Sequence, residues 1–242
     1  MPVGSQASLH LLHERSLRPR KRGQIRTLLE ICCGTASVAD ELLRQNPTAE
    51  IYTLDIDPQF DASFIADVVN WLYTDYFSPG YFDMYWCSPP CRRYTVTLGR
   101  PVELRDLTEA DAVARACIRV KDVGKPRTRF VENPVGLLRT RPFMLDLESF
   151  RKEYSNCHYG KPCRKVSHLW TNVPIHLRSC RWYDMCEFRR LHGRHERTAQ
   201  QGPTGQHHTP GMPAIDAAAI PTLLARECIR AAARYLDTCF EA

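Results

Sequence analysis

The sequence predicts an α/β fold: a doubly wound, Rossmann-like parallel sheet with helices on both faces. Three observations predict it. From residue 25 onward, short apolar runs rich in β-branched and aromatic residues alternate with segments of helical periodicity. A glycine turn, "CCGTAS", stands between the first such run and the first helix. Acids, Asp55 and Asp67, end the next two runs, where open α/β sheets bind their ligands.

Taken in order, "TLLEICC" reads as the first strand and "SVADELLRQ" as the first helix, followed by the strands "EIYTLDID" and "SFIADVV". "FDMYWCSPP" is an aromatic-rich strand that leaves the sheet through two prolines. The helical "LTEADAVARACIRVKDV" and the strand "RTRFVENP" come next. "FRKEYSNCHYG" and "SHLWTNVPI" suggest two more strands paired across "KPCRKV". Residues 176–212 read as irregular, basic and rich in Gly, His and Pro. The last segment carries an apolar stripe through Leu223, Leu224, Cys228, Ile229, Ala232 and Leu236, the mark of a helix packed on the sheet. The expected organisation is a flexible basic arm (1–23), a catalytic core (24–178), an irregular Cys/His/Arg-rich segment (179–212) and a C-terminal helix (213–242).

Composition narrows the function. With 242 residues, 43% hydrophobic and 25% charged, the chain suits one large domain or two small ones. No stretch approaches the roughly 18 apolar residues of a bilayer-spanning helix, so a membrane is not an expected partner. Eleven scattered cysteines with no secretory signal before them read as reduced thiols in an intracellular compartment, cytoplasm or nucleus. The net charge of +6 is uneven: residues 1–26 hold six basic residues and one acidic, and residues 176–198 hold six and three. Such patches suit a polyanion. In the second, "RSCRWYDMCEFRR" interleaves arginine with Trp182, Tyr183 and Phe188, which favours nucleic acid. The arm "RPRKRG" reads equally as a nuclear address or a transit peptide.

The strand ends carry the chemistry. Gly34 admits a ligand close to the backbone at a helix N-terminus. Asp55 is placed to accept from ribose hydroxyls, and Asp67 to receive an adenine amino group. Three successive strand ends lining one crevice suit a nucleoside cofactor. Cys91, after Pro89 and Pro90, sits past the end of another strand.

The stretches "LLEICCGTASVADEL", "TLDIDP", "FDMYWCSPPCRRYT", "VENPVGLLRTRPFM", "YGKPCRKVSHLWTN" and, more weakly, "HERTAQ" resemble the cytosine-5 DNA methyltransferases, in the same order. The compact members found in phages and large viruses are the most similar. The resemblance implies a class I S-adenosylmethionine-dependent methyltransferase sheet. It implies that Cys91 is the nucleophile adding to carbon 6 of the target cytosine, and that Glu132 holds ring nitrogen 3 and supplies a proton. S-adenosylmethionine would lie against Cys33, Gly34, Thr35, Asp55, Ile56, Asp67, Val68 and Pro89. DNA, with the target cytosine flipped out, would be the partner; no protein partner is implied. The family's eighth motif, Gln-x-Arg-x-Arg, is replaced here by "CRKVSHLW", with Cys163 for the glutamine. Arg164 is the favoured contact to the cytosine carbonyl. Arg92, Arg93, Lys165, His168, Arg189 and Arg190 are the expected nucleic-acid contacts. "GMPAIDAAAIP" lacks the Gly-Asn pair usual before the last helix, and the segment after the eighth motif is too short for a large target-recognition domain.

Rival readings are an RNA cytosine methyltransferase, an exocyclic-amino methyltransferase and a catalytically silent cofactor- and DNA-binding protein. Finally, Cys180, Cys186, His192 and His195 supply the right donors for one tetrahedral zinc, but their spacing is longer than a tight knuckle. The favoured expectation is no metal, with two buried cysteines beside two phosphate-facing histidines.

Overall fold

The computed structural model describes residues 22–95, 105–197, 199 and 211–239. Most of the basic arm, the end of "HERTAQ" and most of the Gly/His/Pro-rich stretch before Gly211 lie outside the described residues. The elements are β1 (Thr27–Ile31), α1 (Ser37–Gln45), β2 (Glu50–Asp55), β3 (Phe64–Ile65), β4 (Met84–Cys87), α2 (Thr108–Gly124), β5 (Thr128–Pro134), β6 (Arg151–Ser155), β7 (Val166–Thr171), α3 (Glu187–His192), α4 (Ala214–Ala218) and α5 (Thr222–Thr238).

They form one seven-stranded sheet in the order β3-β2-β1-β4-β5-β7-β6. The first five strands are parallel, with β1 flanked by β2 and β4. β7 runs antiparallel to both β5 and β6, so the sheet is mixed rather than purely parallel. The reason is connection length: the short turn after β6 can close a hairpin but cannot carry a crossover helix. The doubly wound, Rossmann-like sheet expected from the sequence is otherwise the one observed.

Alternation along each strand splits the core into two layers. Leu28, Met84, Trp86, Phe130 and Leu169 face α1 and α5. Leu29, Ile31, Tyr85, Cys87, Val131 and Trp170 face α2 and an aromatic group built from Trp71, Tyr73, Phe77, Tyr81 and Phe82. Every residue of β1 and β4 is therefore buried, which is why these strands read as continuous apolar runs. α5 packs along α1, and Arg226 donates to the buried Glu41 carboxylate at 2.7 Å. The stripe of α5 begins at Leu224, not Leu223, which is 46% exposed on the flank. Among the described residues of 176–212 is a helix that periodicity missed, the six-residue α3.

At the amino ends of the strands, Asp83 is 1% exposed and pairs with Arg26 and Arg127. Asn172 bonds the backbone on both sides of Thr128, at Arg127 and Arg129. These polar groups anchor strand register. The chemistry-bearing residues gather at the other end.

Candidate active site

β1, β4 and β5 are neighbours, and their carboxyl ends bring the predicted motifs together. The turn after β1 passes through three left-handed residues, Cys32, Gly34 and Ala36 (φ 51°, 48° and 50°). Glycine takes this conformation without penalty, whereas the other two are strained unless the surroundings hold them. Asp55, at the end of β2, does part of that holding: its carboxylate accepts from the backbone N–H of Gly34 at 2.9 Å and of Asp57 at 3.0 Å. An ionised carboxylate has lone pairs left for further donors. A Cβ built at Gly34 would meet nothing within 4 Å, so the backbone there faces open space.

That space is a cavity of about 390 Å³ lined by Glu30, Cys33, Gly34, Thr35, Phe60 and Ser88, among others. Its outer wall is α4, through Ala214, Ile215 and Ala218. Glu30 is the buried acid of the lining. Its carboxylate accepts from the Ala39 N–H at 2.8 Å, inside the first turn of α1. Burial pushes this carboxyl up to about 8, opposed by the N–H groups of Ala39 and Val38.

Of the predicted cofactor residues, Cys33, Gly34 and Thr35 line this cavity, and Asp55 reaches it through its bond to Gly34. Ile56 lies outside the lining and is 66% exposed, an apolar side chain on the surface directly after Asp55. Asp67 accepts from the Val69 N–H at 2.9 Å and so closes its own turn. Val68 is buried in the core. Pro89 contributes its carbonyl, which accepts from Asn133 Nδ2 at 2.8 Å and ties the Cys91 turn to β5.

Cys91 is half-buried, and burial pushes its thiol above the ordinary range. Lys165 pulls in the opposite direction, and the Glu132 carboxylate adds to the rise. These three groups, from the β4 exit, the β7 approach and β5, therefore share one electrostatic environment. Glu132 is 3% exposed and accepts from the Tyr154 hydroxyl at 3.0 Å. The loop after Cys91 is fixed in three ways. Its carbonyl accepts from Tyr94 and Thr95. The Tyr94 hydroxyl donates to Asp111 of α2 at 2.9 Å, and Arg141 Nε donates to both Asp111 oxygens. Thr95 bridges to Gly136, where a Cβ would collide with the Tyr94 carbonyl.

The basic residues divide. Arg92 and Arg93 are exposed on the Cys91 turn, and Arg190 is exposed on α3 beside a half-buried Arg189. Lys165 acts on Cys91 and donates to the Ala217 carbonyl of α4 at 2.9 Å, bridging the thiol to the cavity wall. Arg164 is exposed and acts on His195 instead. His168 does not fit the expectation of a nucleic-acid contact. It is 1% exposed, lies opposite Asn133 in the strand register, and meets Arg151 at 2.9 Å through Nε2. Burial, with Arg151 adding to it, lowers its pKa to about 4, so it is a neutral interior ring. Sequence reasoning also passed over Glu30, Asn133, Tyr154 and the α4 wall. Glu30 had a visible signal as an acid inside the apolar run "TLLEICC", and Asn133 as a member of "VENP"; Tyr154 and the wall had none.

No protein-family model matches the chain. The probable DNA (cytosine-5)-methyltransferase of frog virus 3 (isolate Goorha) is 26% identical over 157 residues, covering 60% of this chain and 70% of that protein. Over that span the chain is similar to this viral protein. Among solved structures, a putative DNA modification methyltransferase from an E. coli prophage superposes with a TM-score of 0.46 at 13% identity, over 62% of this chain and 49% of that one. The S. pombe Dnmt2 methyltransferase gives 0.41 at 16% identity, over 71% and 57%. The Entamoeba histolytica methyltransferase EhMeth gives 0.43 at 13% identity, over 67% and 58%. The chain thus spans about half of the first structure and under three fifths of the other two. Among the described residues, no helix is long and apolar enough to cross a membrane.

Proposed function

We propose that this chain is an S-adenosylmethionine-dependent methyltransferase that methylates carbon 5 of cytosine in DNA through a transient adduct on Cys91. The observation that carries the reading is that Glu132 and Lys165 both act on Cys91 at the β4 exit, where Ser88 lines the cavity of the Gly34 turn and Lys165 is bonded to the α4 wall. The cavity suits the cofactor: backbone without Cβ on one side, a buried acid on the other, and a carboxylate at the end of β2. S-adenosylmethionine, when bound, supplies a methyl group activated on a positively charged sulfonium. Entry of such a cation would favour ionisation of Glu30, whose carboxylate then balances the charge, and Asp55 offers lone pairs to ribose hydroxyls.

The chain's own residues account for the rest. The Cys91 thiolate adds to carbon 6 of cytosine, and the electron pair it brings makes carbon 5 nucleophilic. Glu132, oriented by Tyr154, holds ring nitrogen 3 and donates the proton that addition requires. Lys165 stabilises the thiolate; its position favours it over Arg164 as the cation facing the base. After methylation, loss of the carbon 5 proton expels Cys91. The target base must leave the duplex stack to reach this thiol, and exposed Arg92 and Arg93 suit the displaced phosphates.

The test is mechanism-based trapping. Incubated with S-adenosylmethionine and a DNA oligonucleotide containing 5-fluorocytosine, the protein forms a complex that survives denaturing electrophoresis. Cys91→Ser forms none, because a hydroxyl has no comparable ionised fraction near neutral pH, yet binds the cofactor within about twofold by calorimetry. Trapping that persists in Cys91→Ser, or is absent from the wild type on both DNA and RNA, removes this mechanism.

A further inference from the structure

The segment from Arg178 to Ala199 poses a stability problem. Among its described residues only Cys180 and Cys186 are buried, and its one helix, α3, has six residues. Isolated helices of that length do not persist in water, and exposed ion pairs such as Arg178–Asp184 contribute little. The segment nevertheless folds back onto the end of β6, where Cys180 N–H donates to Ser155 Oγ at 3.0 Å. Something other than apolar burial must fasten it.

We propose that Cys157, Cys180, Cys186 and His195 bind one structural zinc ion. One donor atom from each lies within 4.8 Å of all the others. Cys180 Sγ and His195 Nε2 are 3.4 Å apart. Tetrahedral zinc, with bonds of about 2.3 Å to sulfur and about 2.0 Å to nitrogen, needs donor atoms roughly 3.3–3.8 Å apart, so modest contraction completes the site. The Cys186 N–H points at Cys180 Sγ at 3.5 Å, an orientation that supports a thiolate. Binding releases three thiol protons and leaves the three-thiolate, one-imidazole centre with a charge of −1. Arg189 beside Cys180 and Arg164 beside His195 offset that charge.

The ligand set differs from the one spacing suggested. Cys157, in the tight turn after β6, is separated from Cys180 by β7 and joins only through the fold. His192 is excluded: its ring packs on Phe188 at 4.4 Å on the exposed side of α3. The ion would thus tie the sheet edge to a loop whose tip, Arg181-Trp182-Tyr183, holds its two rings edge-to-face, 80% and 65% exposed.

Metal analysis of the full chain, purified without chelator, decides the matter. The expected result is about one equivalent of zinc, falling below about a tenth in Cys157→Ser and His195→Ala. His192→Ala and Cys239→Ser keep the full amount, and His195→Cys keeps it as a four-thiolate site. Cobalt titrated into the metal-stripped wild type should give the visible bands of a tetrahedral thiolate centre, which reads the site without any substitution. A wild type with less than about a tenth of an equivalent and no such bands overturns the proposal. So does a mass deficit showing a disulfide among Cys157, Cys180 and Cys186.

Discussion

Burial moves the pKa values of Cys91 and His168 in opposite directions. Cys91 has its thiol pushed up by desolvation and held in check by Lys165. Lys165→Gln removes the check, so the thiol ionises at higher pH. Peptide-resolved alkylation by iodoacetamide at pH 8 should slow about three- to tenfold at Cys91 and stay unchanged at exposed Cys239. His168, by contrast, is buried neutral. Its folded pKa of about 4 lies below the unfolded value of 6.5. The stability it contributes is present above pH 6.5 and is lost as pH falls through about 4, because the unfolded chain takes up the proton first. The full loss is at most about 3.4 kcal/mol. Urea titrations at pH 7.5 and pH 4.5 should show a smaller pH penalty for His168→Gln than for the wild type. The acid near Cys91 in space, Glu132, was legible because it belongs to a motif. Tyr154, which holds it, was not, since a tyrosine on a strand carries no mark of its partner.

At the scale of elements, the loop after Cys91 and the turn after β5 behave as one unit. Thr95 bridges Gly136, and the Leu137 N–H donates to the Tyr94 carbonyl at 2.9 Å. Gly136→Ala drives a methyl group into that carbonyl and should cost about 1–3 kcal/mol. Because the strain falls on the Cys91 loop and not on the Gly34 turn, trapping on 5-fluorocytosine DNA should drop while cofactor affinity is retained. Equal losses of both would show that the two sites are not separable. Most elements were readable from periodicity, since buried parallel strands and amphipathic helices differ in length and repeat. The exceptions have physical causes. β7 was expected to pair with β6, but its antiparallel place beside β5 depends on its position in the sheet, which periodicity does not carry. α3 escaped notice because a helix without an apolar face has no periodic signal. The α4 wall was invisible because "AIDAA" becomes a cavity lining only through its placement against the Gly34 turn.

For the whole molecule, the excess positive charge is concentrated in residues 1–26 and 176–198. Five of the six basic residues among positions 1–26 precede residue 23. Deleting residues 1–22 should therefore weaken DNA binding and reduce its salt dependence. If all five touch phosphates, the slope of log affinity against log salt shrinks by about 4–5 units. An unchanged slope, measured by fluorescence anisotropy across a salt series, would assign the arm to some other role. The positive charge in residues 176–198 remains in that truncation, so residual salt dependence measures its share.

The packing of α5 along α1 bears on how the protein is made. β1 and α1 leave the ribosome well before Arg226, the partner of Glu41, and the α4 wall of the cavity. Roughly 180 residues separate the two helices. At about 5–20 residues per second, the first layer of the core waits on the order of ten to forty seconds for its cover. During that interval the apolar face formed by Leu28, Val38 and Leu42 has no native partner from α5. A messenger truncated before codon 214 would thus yield a chain that carries Cys91 and Glu132 but has neither the wall of its cavity nor the helix that shields its oldest strand.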